Sequence, residues 1–524
     1  MRGRALSGGF VFGLAGLLIA GGGAGAQTVL RVGAAGDLRN LDPMMSTDNA
    51  TTAHGYMIFD QLFALDARLQ PQLQMLAHHD ASDDQRTHML VLRPGQTWHD
   101  GSPVTAEDCV ASIRRWAAKD PEGRALLANT ASLATTDALT LRWEFREPTG
   151  AIPAALGKIA AYAAFMMPAR LAATPPDKAI GEAVGSGPFR FVADAWRPAA
   201  SWRYVRNTAY AARAEPSDGY AGSRAARVGE VQFTYTPDPT TKVSALQKGE
   251  LDLVEDIQTD LALALASHPD VVARPRSPVG STVLMRFNQL FPPFSDPRVR
   301  QAVQLATSQE DFMAAFAGDA QFWATCASMF NCATPNGVPA ASLAGARRPD
   351  QERARALLRE AGYTGAPVII LHPGDHAMGP LALVAADTMK RIGLNVTVQT
   401  VDYSTMMQRR GSRNAPGEGG WSVFFTRWEG TLQNPTVFLP IGAGCERAWF
   451  GWPCDQEIER LRTAWAAAAD PAQRQQIVQA LVDRAAEQVP FVNLGEVKTP
   501  SAWRRSLAGV PTTPTMIYWT IAKP

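Results

Sequence analysis

Residues 92–116 have the sequence LRPGQTWHDGSPVTAEDCVASIRRW, which is dense in ionisable side chains. Within ten positions it contains His99, Asp100, Glu107 and Asp108. A histidine beside carboxylates suggests general acid–base catalysis. The same pattern also has a purely structural interpretation, so the stretch has to be examined for local structure before any chemistry is assigned to it.

Local rules account for these acids. Asp100-Gly101 is a typical turn pair. Thr105 followed three residues later by Asp108 is typical of a capping box, and an acid in the first turn suits the positive end of a helix. Cys109 then begins an apolar face with helical spacing. We therefore predict a turn followed by a capped helix, and no catalytic residue, in this stretch.

The composition describes a large protein with a balanced charge. The 524 residues are 46% hydrophobic and carry a formal net charge of +1. A chain of this length is too long for one ordinary domain. The chain has no block of basic residues. This argues against nucleic acid or an anionic membrane surface as a partner.

The first 26 residues have the pattern of an export signal. Arg2 and Arg4 precede an apolar run over 10–20, and Ala24-Gly25-Ala26 predicts cleavage between Ala26 and Gln27. The run is shorter than the roughly 20 residues of a membrane helix. No cysteine follows the cleavage position, so we expect no lipid anchor. We predict a periplasmic protein without direct membrane insertion.

The five cysteines fit an oxidising compartment. Cys326 pairs naturally with Cys332 and Cys445 with Cys454, so we predict two short-loop disulfides. A metal site is the alternative, but neither spacing is C-x2-C and no histidine lies nearby. We expect no metal and no cofactor. Cys109 remains, and its apolar helical position predicts a buried, unreactive thiol.

Strand-like and helix-like segments alternate along the chain, which predicts an α/β protein. Two helix starts have clear capping residues, Asp296 before Pro297 and Ser308 before Asp311. A third helix is predicted to begin at about Asp350. No G-x-G-x-x-G motif appears, so we expect no dinucleotide site.

The stretch 92–116 resembles a motif of the family 5 extracellular solute-binding proteins, the peptide/nickel class of ABC-importer receptors, which have L-R-x-G-V-x-F-H-D-G-x-P-x-T-A-E-D-V. Further segments resemble that family in the expected order: LDPMMSTDN, VGSGPFRFVADAW, ALQKGELDL, FSDPRVRQAVQLA, RARALLREAGY and MKRIGLNVTVQTVD. The resemblance covers almost the whole mature chain.

This resemblance implies a type II periplasmic-binding-protein fold with two α/β lobes, a ligand cleft between them and an extra subdomain inserted in the first lobe. It implies the following limits: signal peptide 1–26; first lobe 27–65, 186–286 and 494–524; inserted subdomain 66–185; second lobe 287–493. It also implies a monomer that closes on a small molecule or peptide and presents it to an inner-membrane ABC permease.

The resemblance also implies site residues. Peptide-binding members hold the ligand's amine with an Asp three residues after a cleft tryptophan. In FTRWEGTLQNP, Trp428 matches that tryptophan and Thr431 matches the Asp position. A hydroxyl cannot replace the carboxylate, so either Glu429 takes its role or the ligand lacks a free amine. The full set of expected ligand-binding residues is Asp48, Asn49, Tyr56, Trp421, Arg427, Trp428, Glu429, Gly430 and Thr431, with Phe287 and Asn288 at the hinge or cleft.

Two alternatives remain open. The first is the same fold with a non-peptide ligand, such as a sugar or an opine-like compound. The second is an exported hydrolase, which the sequence supports poorly. Ser186 is not in a G-x-S-x-G motif, His78 and His79 are adjacent, and a Pro-Gly pair separates His372 from His376.

Overall fold

The computed structural model describes Met1 and residues 28–46, 48–159, 162–343, 349–468 and 470–524. The side chains of Ser404 and Leu432 are not described. The predicted signal peptide and its cleavage position lie outside the described residues. Within the described ranges, no helix is both long and apolar enough to cross a membrane.

The strands, in chain order, are β1 (Val29–Gly33), β2 (Asp60–Gln61), β3 (Phe63–Leu65), β4 (Pro71–Leu73), β5 (Leu76–Ala81), β6 (Thr87–Leu92), β7 (Thr130–Thr135), β8 (Thr140–Phe145), β9 (Phe165–Met166), β10 (Phe189–Phe191), β11 (Ser201–Arg206), β12 (Glu230–Thr234), β13 (Leu253–Val254), β14 (Val271–Pro275), β15 (Ser281–Phe287), β16 (Trp323–Ala324), β17 (Pro367–Pro373), β18 (Asn395–Val401), β19 (Val423–Glu429), β20 (Phe491–Val497) and β21 (Pro500–Arg504).

The helices, in chain order, are α1 (Asn49–Ile58), α2 (Ala106–Ala117), α3 (Pro121–Asn129), α4 (Ile152–Leu156), α5 (Ala169–Ala172), α6 (Pro239–Gln247), α7 (Thr259–Leu265), α8 (Pro297–Ala306), α9 (Gln309–Ala317), α10 (Gln351–Glu360), α11 (Gly379–Arg391), α12 (Tyr403–Arg409), α13 (Gln456–Ala467) and α14 (Pro471–Gln488).

Two mixed sheets form two lobes. The first sheet has the strand order β10-β11-β12-β1-β13-β21-β14, and the second has the order β16-β20-β15-β19-β17-β18. Both combine parallel and antiparallel pairs. In the first sheet β1 runs parallel to β12, and β11 runs antiparallel to it. In the second sheet β17 runs parallel to β18, and β15 runs antiparallel to β19 and β20. This arrangement confirms the predicted two-lobed α/β fold.

The inserted subdomain is built on a third, antiparallel sheet with the order β5-β6-β8-β7, and α2 to α5 lie in the same segment. Its apolar side chains belong to the same buried cluster as those of the first lobe. The second lobe has clusters of its own. The insert is therefore packed on the first lobe, as expected.

The chain crosses between the lobes at two places. One lies between β14 and β15, and the other between β20 and β21. The predicted domain limits stay a prediction, but β15 and β20 favour crossings near 276–280 and 498–499 instead of 286/287 and 493/494. The reason is that both strands pair with the second sheet along their whole length.

The stretch 92–116 folds as its capping pattern predicts. The Thr105 Oγ1 accepts a hydrogen bond from the Asp108 backbone N–H at 3.3 Å, and the Asp108 carboxylate accepts one from the Thr105 N–H at 2.9 Å. His99 exchanges hydrogen bonds with the backbone of Gly185 and Gly187, and burial lowers its pKa to about 4. The bond from His99 to the Gly187 carbonyl links the inserted subdomain to the first lobe.

Candidate functional site

A cavity of about 450 Å³, called here the charged cavity, lies where the two lobes face each other. On the first lobe its wall consists of Ala35 after β1, Asp256 after β13, and Asn49 and Ala53 of α1. α/β sheets place ligands at the carboxyl ends of their parallel strands. The first lobe thus supplies this wall from the loops where a ligand is expected.

On the second lobe the wall consists of strand ends. Ser281 begins β15, Glu429 ends β19 and Val497 ends β20, and all three line the cavity. They lie side by side because Ser281 is paired with Glu429 on one edge and with Val497 on the other. The backbone ladder therefore fixes the position of Glu429 relative to the crossing at 276–280.

The crossing segment contributes Arg276. Its guanidinium donates hydrogen bonds to the carbonyl oxygens of Thr513 and Pro514. Its Nε is buried and has no hydrogen-bond partner among the described residues. Arg276 thus holds the C-terminal segment, which also lines the cavity at Pro514 and Thr515.

Two acidic side chains of the first lobe have raised pKa values, chiefly because they are buried. Glu255 is held in place, since its carboxylate accepts hydrogen bonds from the Tyr518 hydroxyl and, at 2.7 Å, from the Ala35 N–H. Asp256 has no hydrogen-bond partner among the described residues, and the positive charges of Arg276 and Arg427 partly oppose the rise in its pKa. Asp256 is therefore the carboxyl that remains available for a ligand.

The second lobe faces Asp256 with charges of both signs. The Glu429 carboxylate accepts one hydrogen bond, from the Ser281 hydroxyl at 2.9 Å. Arg427 is exposed and makes no ion pair or hydrogen bond within the described part of the chain. Besides Glu255 and Arg276, which are held by other residues, the walls of the charged cavity thus carry two further acids, Asp256 and Glu429, and the free guanidinium of Arg427.

Five of the predicted ligand-binding residues line this cavity: Asn49, Arg427, Glu429, Gly430 and Thr431. Successive side chains along β19 point to opposite faces of the sheet, which decides which of the last residues of this strand reach the cavity. Arg427 and Glu429 share one face of β19, while Trp428 lies on the other. The structure therefore brings together the predicted loop and one residue of α1.

Trp428 and Trp421 do not line the charged cavity. The Trp428 ring packs edge-on against Phe438 and Trp449, each at 5.7 Å between ring centres. Trp421 is fully buried in the core of the second lobe, edge-on to Phe424. Trp428 lies on the face of β19 opposite Arg427 and Glu429, and Trp421 is buried just before that strand. Their contact with a ligand stays a prediction, which this geometry does not favour.

Tyr56 and Asp48 also have structural roles. Tyr56 is buried between Phe165 and Tyr220, with 5.0 Å between each pair of ring centres. Asp48 is the N-cap of α1, and its carboxylate accepts hydrogen bonds from the N–H groups of Ala50 and Thr51. Neither lines the charged cavity. Their contact with a ligand stays a prediction, which this geometry does not favour.

Phe287 and Asn288, predicted at the hinge or cleft, are buried inside the second lobe. Phe287 stacks on Phe294 at 4.5 Å between ring centres. Asn288 donates a hydrogen bond from its amide to the Trp421 carbonyl and closes a turn with the Leu290 N–H. Phe287 is the last residue of β15 and Asn288 follows it, at the end of the strand opposite to Ser281 at the cavity.

The sequence did not single out Glu255, Asp256, Arg276 or Ser281. The segment ALQKGELDL precedes Glu255 and Asp256. The one available indication of a ligand site was that these two acids follow a short strand, because α/β sheets place ligands at strand ends. Arg276 and Ser281 lie in a segment without a distinctive pattern. Their position depends on the path by which the chain crosses between the lobes.

The structure contains both predicted disulfides, Cys326–Cys332 and Cys445–Cys454, and a buried Cys109 thiol whose pKa is raised by burial. Cys326, Cys332 and Glu496 lie within metal-ligand distance of one another. Both sulfur atoms are engaged in the disulfide, so this group cannot offer thiolates to an ion.

Comparisons with known proteins agree with this architecture. The family model of the bacterial extracellular solute-binding proteins, family 5, matches residues 70–449. A probable peptide ABC transporter periplasmic-binding protein of Sinorhizobium fredii is 34% identical over 93% of this chain and 92% of its own. The glutathione-binding protein GsiB of Pectobacterium atrosepticum is 25% identical over 94% and 93%.

Among solved structures, the ABC transporter substrate-binding protein CtaP of Listeria monocytogenes has a TM-score of 0.77 at 18% identity. The match covers 95% of this chain and 99% of CtaP, so the likeness extends over both lobes and the inserted subdomain. With the family model spanning most of the sequence, the chain belongs to the bacterial extracellular solute-binding proteins of family 5.

Proposed function

We propose that the protein is the periplasmic receptor of an ABC importer that captures a peptide or peptide-like solute and delivers it to an inner-membrane permease. The family and the name of the Sinorhizobium relative support this proposal. In this proposal the chain is exported by its first 26 residues and acts as a monomer. The lobes close by bending at the two crossings, and no catalytic group is needed.

One observation carries the choice of ligand. The charged cavity has charges of both signs that form no ion pair. Asp256 and Glu429 supply carboxylates, and Arg427 supplies a guanidinium cation. A peptide with free ends has an ammonium and a carboxylate. Each charge-assisted hydrogen bond to such a group is worth about 1.5–3 kcal/mol. We assign the ammonium to Asp256 and Glu429, and the carboxylate to Arg427.

This assignment replaces the family's Asp, whose position is occupied here by Thr431. Glu429 lies two residues earlier and reaches the same cavity, and Asp256 approaches from the other lobe. A ligand held by Asp256 and Glu429 touches both lobes at once. Because such a ligand binds the closed form better than the open form, it drives closure.

The first experiment is native mass spectrometry of the purified mature protein, followed by denaturation and identification of the released compound. Peptides with free amino termini support the proposal. An opine-like or sugar ligand would overturn the peptide assignment and leave the receptor role intact.

A matched pair of variants tests the residue roles. Asp256→Asn should weaken binding of the identified peptide by about 10-fold to 100-fold, since a charge-assisted hydrogen bond is lost. Asp260→Asn removes an equal charge from an exposed position in α7 that does not line the cavity, and should leave affinity unchanged. Equal affinities of the two variants would refute the role of Asp256.

A further inference from the structure

A buried carboxyl group lies beside one of the two disulfides of the second lobe. The two sulfur atoms of Cys326–Cys332 and a carboxylate oxygen of Glu496 all lie within 4.8 Å of one another. Glu496 belongs to β20 and is 2% exposed. The proposed transport function uses neither the acid nor the disulfide. A group that can carry a proton therefore lies next to a bond that can be reduced.

The two cysteines of this disulfide differ in access. Cys326 is 2% exposed, whereas Cys332 is exposed and lines a cavity of about 570 Å³ between the second lobe and the C-terminal segment 509–514. Thiol–disulfide exchange begins with attack of a thiolate on one of the two sulfur atoms and passes through a mixed disulfide. A thiolate from outside can reach Cys332, and the Cys326 sulfur is then the leaving group.

The surroundings of Cys326 suit a thiol better than a thiolate. Burial disfavours the charged form of a thiol, so a leaving sulfur at this position needs a proton. Glu496 is the acid within reach of it. The Cys326 sulfur also lies 3.4 Å from the Phe330 carbonyl oxygen, which can accept the S–H hydrogen of the reduced form. The folded protein thus has places for both partners of the new thiol.

The environment of Glu496 lets it act as a proton donor near neutral pH. Burial raises its pKa to about 7, and the hydrogen bond from the Cys332 N–H and the charge of Lys498 oppose the rise. The neighbouring strands place Thr282 of β15 and Ala324 of β16 opposite it, and neither of these residues ionises in this range. The carboxyl therefore keeps its proton in most molecules at pH 6.

The other disulfide, Cys445–Cys454, is a matched comparison within the same lobe. It also has an exposed member, Cys454, and an acid, Asp455, follows that residue directly. Among the described residues, however, no acid forms a comparable group with its two sulfur atoms. Exposure is thus common to both disulfides, and the adjoining buried acid distinguishes Cys326–Cys332.

The loop closed by Cys326–Cys332 is bonded to both crossings between the lobes. The Asn331 side-chain amide donates a hydrogen bond to the Gly280 carbonyl at 3.2 Å, in the crossing at 276–280. The Cys332 N–H donates to the carboxylate of Glu496 at 2.6 Å, two residues before the crossing at 498–499. Reduction opens the ring that holds these two donors in place, so it should loosen both contacts.

We propose that Cys326–Cys332 is an exchange site for a dithiol reductant: a thiolate of the dithiol attacks Cys332, Glu496 protonates the departing Cys326 sulfur, and the opened loop loosens the hinge. The second thiol of the reductant then attacks its own sulfur in the mixed disulfide and releases Cys332 as a thiol. Two electrons and two protons pass from the dithiol to the two cysteines, and Glu496 regains its proton from the second thiol. This activity goes beyond the proposed function and does not depend on the ligand.

The test incubates the full-length mature protein, with both disulfides formed, with dithiothreitol from about pH 5.5 to about 8.5. Alkylation of the folded protein traps Cys332 and Cys454 as they are reduced, and peptide mass spectrometry gives the rate for each disulfide. Alkylation of the buried Cys109 reports unfolding. Rates are divided by the thiolate concentration, because the thiolate is the nucleophile.

Two variants are compared with the wild type. Glu496→Gln retains an acceptor for the Cys332 N–H and has no proton to give. Glu250→Gln makes the same change at an exposed position in the first lobe. Hydrogen–deuterium exchange of the oxidised and the reduced wild type then measures the protection of the backbone at 276–280 and 328–334.

At pH 6 we expect Cys326–Cys332 of the wild type to be reduced about tenfold or more faster than Cys445–Cys454, with Cys109 unlabelled. The rate per thiolate should fall above pH 7, as Glu496 loses its proton. Glu496→Gln should be about tenfold or more slower at pH 6 and show no such fall, whereas Glu250→Gln should match the wild type. Reduced wild type should exchange faster at 276–280 and 328–334.

Three other results would overturn the inference. Equal rates for the two disulfides, or reduction only together with labelling of Cys109, would mean that no exchange site exists in the folded protein. A rate for Glu496→Gln equal to that of the wild type at every pH would refute proton transfer from Glu496. Unchanged protection at 276–280 after reduction would refute the link to the hinge. None of these measurements uses the transported solute, so failure of the proposed function would leave their outcome unaffected.

Discussion

Glu496 gives a prediction whose size follows from its surroundings. It lies on β20 opposite Thr282, and it is 2% exposed. Its carboxylate accepts one hydrogen bond, from the Cys332 N–H at 2.6 Å. Burial raises its pKa from 4.5 to about 7, while this hydrogen bond and the charge of Lys498 oppose the rise. The folded protein therefore favours the protonated carboxyl.

The sign of the pH dependence follows directly. Below pH 4.5 the group is protonated in both the folded and the unfolded chain, so it has no net effect on stability. Between pH 4.5 and about 7 the unfolded chain releases the proton and the folded chain retains it. The free energy of unfolding falls over this range, by about 1.4 kcal/mol for each pKa unit and so by about 3 kcal/mol in total.

Glu496→Gln removes this dependence. Glutamine cannot ionise and keeps a carbonyl oxygen for the Cys332 N–H. Relative to wild type, we expect no stabilisation at pH 4 and about 3 kcal/mol at pH 8. Urea denaturation from pH 4 to 8, with the disulfides intact, measures the difference. Glu250→Gln, an exposed change, is the control and should show no pH-dependent difference. A pH-independent loss of stability in Glu496→Gln would refute the reasoning.

Three further predictions concern other buried or bridging groups. The Cys109 thiol, buried and with a raised pKa, should react with a thiol reagent only after unfolding; labelling of the native protein within minutes would contradict its burial. The Arg286 guanidinium donates to four backbone carbonyls. Arg286→Met should therefore lower the protein's free energy of unfolding by about 3 kcal/mol or more, measured by urea denaturation at pH 7. A loss below about 1 kcal/mol would argue against these bonds. Glu122→Ala breaks the contact with Asn434 and Thr436 across the cleft and should weaken ligand binding about fivefold by calorimetry; unchanged affinity would show that this contact plays no part in closure.

Local rules predicted the helix starts well. Asp296, Ser308 and Asp350 each accept a hydrogen bond from a backbone N–H in the first turn of the helix that follows. Such contacts span two or three residues, so the sequence contains all the information they need. The two disulfides were also predictable because each joins residues close in the chain.

The charged cavity was harder to predict, because its walls come from distant segments. Asp256 and Arg427 are separated by most of the second lobe along the chain, and only the packing of the two lobes places them together. Two aromatic residues, in contrast, were predicted at the ligand site but do not line the charged cavity. Trp421 and Tyr56 occur in segments that resemble ligand loops, yet both rings are buried in the cores of their lobes, where a large ring contributes to stability.

The position of β21 in the first sheet has a consequence for the order in which the lobes form. β21 lies between β13 and β14, although it follows both by more than 200 residues. The second sheet uses only strands from 281–497. During folding from the amino end, the second lobe can complete its sheet while the first still lacks an interior strand. We therefore expect the lobe that begins the chain to be the last to become stable.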